Sequence, residues 1–248
     1  MKQLNYIDET IERDENPALR IGSVGRSALS TVYLMDCIEG MKQFPDKIFD
    51  LAVVDPPYGI GVSKTIHHQN NTIDKITTYN AKEWDNAIPT SEYWNELFRV
   101  SKNQIVWGAN YFTEYLNPTK DWIIWDKEQP EKIHFAQAEL AWQSFGRGIR
   151  IFKRSIAKDQ NRVSNNRVKA QQYKRIHPTQ KPVALYEWIL ANYAKPNDLI
   201  LDTHLGSQSS RIAANKAGLD FVGFEIDREY FDNGNKRFKN FVSQGVLF

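Results

Sequence analysis

The segment FDLAVVDPPYGIG, residues 49 to 61, brings a carboxylate, two prolines and a tyrosine together at the end of an apolar run. Asp55 offers charged acceptor oxygens. Pro56 and Pro57 restrict φ and remove two backbone donors, so the carbonyls around them are not consumed by a helix. Tyr58 adds a flat aromatic face. Rigid acceptors beside a stacking surface suit a planar group bearing an amino substituent, with the Asp55 carboxylate and the Pro56 carbonyl taking its N–H hydrogens. An ordinary Asp-Pro-Pro turn with Tyr58 as a packed rim residue explains the same stretch, and on these residues alone both readings stand.

A second set lies in LILDTHLGSQSSRIAANKAGLDFVGFEID, residues 199 to 227. Asp202 ends a strand-like run, Gly206 permits a tight turn, a helix from about Ser209 offers free N–H groups, and Glu225 ends the next strand. Glu225 follows Gly206 by 19 positions, close to the spacing of about 20 between a glycine loop and a ribose-binding acid. Only one glycine occupies the loop, and Gln208 stands where another would open the backbone to a pyrophosphate. The loop therefore suits an adenosine ligand without phosphates, although a plain packing glycine in a βαβ unit accounts for it equally.

Both sets need a frame that presents them on one edge. Phe49 and Leu51 to Val54 form a short run apolar toward both faces, as in an interior strand of a parallel sheet. Asp55 then sits at the carboxyl end, where open α/β sheets bind ligands. Residues 1 to 30 give only a weak pattern, followed by a strand ending at Met35 or Asp36. A helix is expected in PTSEYWNELFRVS, capped by Thr90 or Ser91 and burying Trp94, Leu97 and Phe98. Strands are expected in QIVWGA, DWIIWD, AELAWQSF and IRIFKR, which makes Trp107, Trp122, Trp125 and Trp142 core residues. Pro182 starts a further helix with an apolar stripe from Val183 to Tyr193. Strand, helix, strand and a closing helix from about Arg228 to Val242 complete an alternation that implies a three-layer, mostly parallel, Rossmann-like α/β sheet.

The whole chain narrows the choices. Its 248 residues suit one large domain. No apolar run is long enough to span a membrane, and the start MKQLNYIDETIERDENP has no signal-peptide core, so no membrane partner and a cytoplasmic location are expected. The single Cys37 excludes an internal disulfide. His67, His68, His134, His177 and His204 lack metal-binding spacing with Cys37, so no metal is expected. No Walker-type loop is present. A net charge of +2 implies no polyanionic partner by itself, but Arg147 to Lys181 holds eleven Lys and Arg against one acid, Asp159. Such a stretch repels itself and favours a phosphate backbone. Its middle, AKDQNRVSNNRVKAQQYKR, is predicted to be a loop that orders on a partner. A polar loop is predicted near residues 62 to 82.

Taken together, the motifs resemble the N6-adenine and N4-cytosine DNA methyltransferases that use S-adenosylmethionine. DPPYGIG matches that family's catalytic motif in its adenine-directed form, where cytosine enzymes more often begin with Ser. LILDTHLGSQSS resembles the methionine-binding motif Asp-Pro-Phe-x-Gly-Ser-Gly-Thr-Thr, and HPTQKP the segment that closes over the cofactor. The catalytic motif precedes the cofactor loop, the order of the family's β group, and more loosely the chain resembles small phage and prophage methylases, some paired with restriction enzymes.

The resemblance implies one catalytic domain over residues 1 to 248, with a DNA-contacting basic insertion near 147 to 175. It implies that Asp55 and the Pro56 carbonyl bind the target amino group, that Pro57 keeps the backbone rigid and that Tyr58 stacks on a flipped base. Gly206 and Ser207 are expected at the methionine end of the cofactor, with Thr179 and Lys181 in a nearby segment. Glu225 is expected at the ribose and Asp36 with Cys37 at the adenine. Asp55, Asp202 and His204 complete the expected cofactor contacts. The departures from the motif are Thr203, His204 and Gln208. The implied partner is double-stranded DNA, and a homodimer fits the group. Transfer to adenine N6 is the expected reaction; transfer to cytosine N4 and a silent DNA-binding protein with a spoiled cofactor loop are the alternatives. Neutralising Arg162, Arg167, Lys169, Lys174 and Arg175 is expected to weaken DNA binding and flatten its dependence on salt, as read from binding isotherms over a salt series; an unchanged slope would exclude the segment as the contact.

Overall fold

The computed structural model of the protein describes residues 7–12, 29–61, 85–130, 136–155 and 176–245. Among the described residues the strands are β1 (Ile7–Glu12), β2 (Leu29–Leu34), β3 (Phe49–Val54), β4 (Ser101–Trp107), β5 (Trp122–Asp126), β6 (Ala138–Gln143), β7 (Arg150–Lys153), β8 (Leu199–Asp202) and β9 (Asp220–Glu225). They form one sheet in the order β1-β2-β9-β8-β3-β4-β6-β5-β7. Central β3 pairs in parallel with β8 and β4. Only β6 runs the other way, antiparallel to both β4 and β5.

The helices are α1 (Cys37–Met41), α2 (Ser91–Val100), α3 (Val183–Tyr193), α4 (Ser209–Ala217) and α5 (Arg228–Gly245). Side chains alternate across β3, as the pleat requires. Ala52 and Val54 join Met41, Tyr93, Trp94 and Leu97 under α1 and α2. Leu51 and Val53 join Leu185, Ile189, Ala213 and Phe231 under α3, α4 and α5. Helices on both faces of a parallel sheet give the three expected layers, and they explain why β3 and β8 read as unbroken apolar runs. Trp107, Trp125 and Trp142 are buried, and Trp122 packs partly buried against the first cluster. Thr90 precedes α2 in extended conformation but its hydroxyl makes no capping bond. No described helix is long and apolar enough to cross a membrane.

The start of α4 departs from a glycine-rich turn in an instructive way. Gln208 holds the left-handed conformation, φ 57 and ψ 31, which a side chain adopts only at some cost. Its fully buried side chain turns toward α5, donating to Asn235 Oδ1 at 3.1 Å and accepting from Arg211 Nη1 at 3.0 Å. Gly234 makes the room: a Cβ there would lie 2.7 Å from Gln208 Cγ. Gly234→Ala is therefore expected to lose about 1–3 kcal/mol through overpacking against about 1 kcal/mol returned by helix propensity. A fall of a few degrees in the thermal midpoint would confirm the clash; a rise would show that Gln208 leaves freely.

Candidate active site

Because β3 is covered on both faces, its last residues emerge at the carboxyl edge in a fixed direction. Asp55 and the buried Pro56 follow there. Among the described residues the Pro56 carbonyl accepts no hydrogen bond. The Tyr58 hydroxyl donates to Asp55 Oδ1 at 2.6 Å. Lys181 pairs with Asp55 Oδ2, reaches Glu139 Oε2 at 3.1 Å and donates to the Tyr58 hydroxyl at 3.2 Å. Lys127 holds the other oxygen of Glu139 at 2.6 Å. The Lys181 side chain is only 3 % exposed and that of Asp55 18 %. Tyr58 stacks on Tyr111, ring centroids 5.0 Å apart and planes 15° from parallel. Gly108, at φ 68, lets this happen, since a Cβ there would meet Tyr58 Cε1 at 2.1 Å.

Burial pushes the Asp55 carboxyl up, Lys181 draws it part of the way back, and the nearby Glu139 charge adds to the rise. Burial alone would depress Lys181, but the two carboxylates facing it raise it, so it stays an ammonium. Burial and then the Asp55 charge raise Tyr58 well above the ordinary phenol range. The phenol therefore remains a donor, and each Asp55 oxygen keeps a lone pair for a further hydrogen bond.

The second half of the site lies at the ends of β8 and β9. Asp202 Oδ1 accepts the His204 N–H at 3.1 Å and Oδ2 the Ser210 hydroxyl at 2.5 Å. Glu225 accepts the Gly206 N–H at 2.8 Å on one oxygen and the Asp227 N–H at 2.9 Å on the other. Burial raises both carboxyls to about 7, with these hydrogen bonds opposing it only in part. Burial also lowers His204 to about 4, so its ring is neutral. His204 Nδ1 lies 2.9 Å from the Thr203 hydroxyl, which meets the Tyr93 hydroxyl at 2.8 Å. Its other nitrogen faces Cys37 Sγ at 3.9 Å. The Cys37 thiol is pushed far up by burial and is no thiolate. Asp36 caps α1 through Oδ1, accepting from the Ile38 and Glu39 amides. The Ser207 and Ser209 hydroxyls meet at 3.1 Å. The Thr179 hydroxyl lies 3.1 Å from His177 Nδ1, and the His177 ring faces Gly206.

This half suits a ribose-bearing cation. Glu225 keeps acceptor capacity for hydroxyl groups, and positive charge would relieve two carboxyls that burial holds near neutrality. The residues present therefore fit S-adenosylmethionine. Thr203, His204 and Gln208, the departures from the motif, each have a partner of their own, and the Gln208 side chain turns away from the loop.

Most of the expected site residues gather along this edge. Lys181, expected in the segment near the methionine end and counted with the basic stretch, lies inside, on Asp55, where two acids face it. Arg147, from the same stretch, leans on Tyr193, 5.2 Å from the ring centroid. The predicted loop near 62 to 82 and most of the basic segment, residues 156 to 175, lie outside the described residues, as do His67, His68 and His134. Glu139, Lys127, Gly108 and Tyr111 were not singled out from sequence. The one available signal was Glu139, an acid in the otherwise apolar AELAW strand. Among the described residues no group of three His, Cys, Asp or Glu is placed to hold a metal ion.

Residues 49–236 match the family model for N6/N4 methyltransferases, described as DNA methylase. The Type II methyltransferase M.HinfI of Haemophilus influenzae is 26% identical over 249 residues, covering 85% of this chain and 68% of that protein. The Type II methyltransferase M1.MboII of Moraxella bovis is 21% identical, covering 84% and 95%. Among solved structures, M1.HpyAVI in complex with S-adenosylmethionine superposes with a TM-score of 0.51 at 22% identity, over 83% of this chain and 98% of that one. The cytosine-N4-specific PvuII DNA methyltransferase gives 0.54 at 13% identity, over 87% and 91%. These structures support the Rossmann-like fold. With the family model covering well over half of its length, the chain belongs to the N6-adenine and N4-cytosine DNA methylase family, which uses S-adenosylmethionine as methyl donor.

Proposed function

We propose that the protein methylates the exocyclic N6 of adenine in double-stranded DNA. The observation that carries this reading is the pair of acceptors at the end of β3, the Asp55 carboxylate and the Pro56 carbonyl, which takes no hydrogen bond among the described residues, beside the Tyr58 ring. The motif begins with Asp, the form resembling the adenine-directed enzymes.

An exocyclic amino nitrogen is a poor nucleophile because its lone pair is delocalised into the ring. Two acceptors taking its hydrogens favour a more tetrahedral nitrogen with an available lone pair. S-adenosylmethionine, when bound, supplies a methyl group already activated on a sulfonium. No proton needs to leave first, and Asp55 stabilises the positive charge that develops on nitrogen. Orientation supplies much of the remaining acceleration. The base must leave the duplex for this contact, and Tyr58 replaces the stacking it loses. Since Tyr111 lies too close for a base to enter between the rings, use of that Tyr58 face requires Tyr111 to move aside. Asp36 and Cys37 would line the adenine end of the cofactor, Glu225 its ribose, and Asp202, His204, Gly206, Ser207 and Thr179 the remainder.

Incubation with labelled S-adenosylmethionine and unmethylated bacterial DNA, followed by digestion to nucleosides, should place the label in N6-methyladenine. Label in N4-methylcytosine would keep the mechanism and overturn the target. Asp55→Ala should reduce transfer by about a hundredfold or more while S-adenosylmethionine still binds; transfer at the wild-type rate would sink the mechanism. A pH test reads Glu225 separately. With Glu225 raised to about 7, the free protein holds a proton there below neutrality, whereas both ribose hydroxyls are best accepted by the carboxylate. Affinity for methylthioadenosine, which lacks the amino-acid group, should therefore rise as pH increases through 7, and Glu225→Gln should abolish that rise. A flat wild-type profile in calorimetry would remove Glu225 from the ribose.

A further inference from the structure

The proposed reaction leaves one part of the network unused. Lys181 does not form a private pair with Asp55: it also meets Glu139 at 3.1 Å, and Glu139 is held from its far side by Lys127 at 2.6 Å. Strand pairing fixes this row. Glu139 on β6 stands opposite Trp125 on β5, Lys127 follows two residues later, and its ammonium lies 5.3 Å from the Trp125 ring centroid. All four side chains are at most 23 % exposed. Two acids and two bases make the row neutral as a whole, which is the condition under which buried charges are tolerated. A simple tie between strands would need only Glu139 and Lys127.

A lone ammonium against Asp55 would draw the carboxylate's electron density toward itself and make it a poor acceptor for a neutral N–H. A second carboxylate on the same ammonium divides that pull. We propose that Glu139, anchored by Lys127, is a positioning residue that shares the Lys181 ammonium with Asp55 and so sets how strongly Asp55 accepts hydrogen from the target amino group. This rests on the methyltransferase reading above. The described groups facing Asp55 are Lys181 from the segment before α3, Glu139 from β6 and Tyr58 from its own loop. Asp202 on β8, Tyr186 on α3 and Tyr93 on α2 also feel its charge. Glu139 raises Asp55 and Lys181 lowers it, so removing each should act in opposite directions.

The test is the pH dependence of single-turnover methyl transfer, together with carbon-13 NMR titration of the Asp55 carboxyl, assigned with Asp55→Asn. Transfer requires ionised Asp55, so the acid limb follows its pKa. Glu139→Gln should move the limb and the NMR titration to lower pH by about one unit and lower the plateau rate about tenfold. Lys181→Met should move both to higher pH. The double variant Glu139→Gln/Lys127→Met should keep the downward shift, since the shared charge is gone from both. An unmoved Asp55 titration in Glu139→Gln would overturn the proposal, as would a double variant restored to the wild-type profile, because the defect would then be Lys127 left without a partner. If the wild-type protein transfers no methyl group but the NMR shift occurs, the enzymatic reading fails and the charge sharing stands.

Discussion

The buried Lys181 ammonium joins parts of this site that lie far apart along the chain. It belongs to the segment between β7 and α3, yet it closes on the end of β3 and on β6. A cation at that depth costs several kcal/mol in lost hydration unless acids face it, and Asp55 and Glu139 both do. The same segment carries His177, whose ring packs 4.3 Å from the Tyr230 ring centroid and faces Gly206. One short segment therefore touches the acceptor carboxylate at one end and the cofactor loop at the other. This contact bridges two halves that the direct pairing of β3 with β8 and of β8 with β9 already sets side by side.

How much of this was legible in the sequence follows from where each signal resides. β3 and β8 were readable because both of their faces are covered, and the chemistry-bearing residues Asp55, Tyr58, Asp202, Gly206 and Glu225 lie at the carboxyl ends of strands or in the short loops that follow them. β1, with the sequence IDETIE, offered no such pattern; among the described residues it pairs at the sheet's edge with β2 alone. Lys181 was read from the HPTQKP motif and from the basic stretch it ends, and not from its neighbours in space, which are acidic. Glu139 looked like one polar residue in a strand, and nothing local discloses that its partners come from the ends of two other segments. Gly108 was absorbed into the run QIVWGA, although it ends that strand in a left-handed turn to admit Tyr58.

The cofactor loop teaches the same point through side-chain direction. Gln208 in place of glycine reads as an obstruction when only the loop is considered. The obstruction exists, but it falls on α5, where Gly234 absorbs it and where Arg211, stacked 3.9 Å from the Phe238 ring centroid, holds the amide. Thr203 and His204 likewise replace an apolar pair by a hydrogen-bonded one tied to Tyr93 on α2. Strain in the backbone at Gln208 is thus held by tertiary contacts, the circumstance in which such a conformation persists.

The two halves differ in charge balance, and this bears on the direction of the proposed reaction. Around Asp55 the described acids and bases compensate one another, a setting suited to a neutral amino group. Around Asp202 and Glu225 they do not, and burial holds both carboxyls near neutrality. A cofactor with a sulfonium brings the missing charge to that half. When the methyl group leaves, the C–S electron pair stays on sulfur and the positive charge departs with the methyl toward the amino nitrogen, beside Asp55. The product thioether then has less to offer the carboxyls than the donor had.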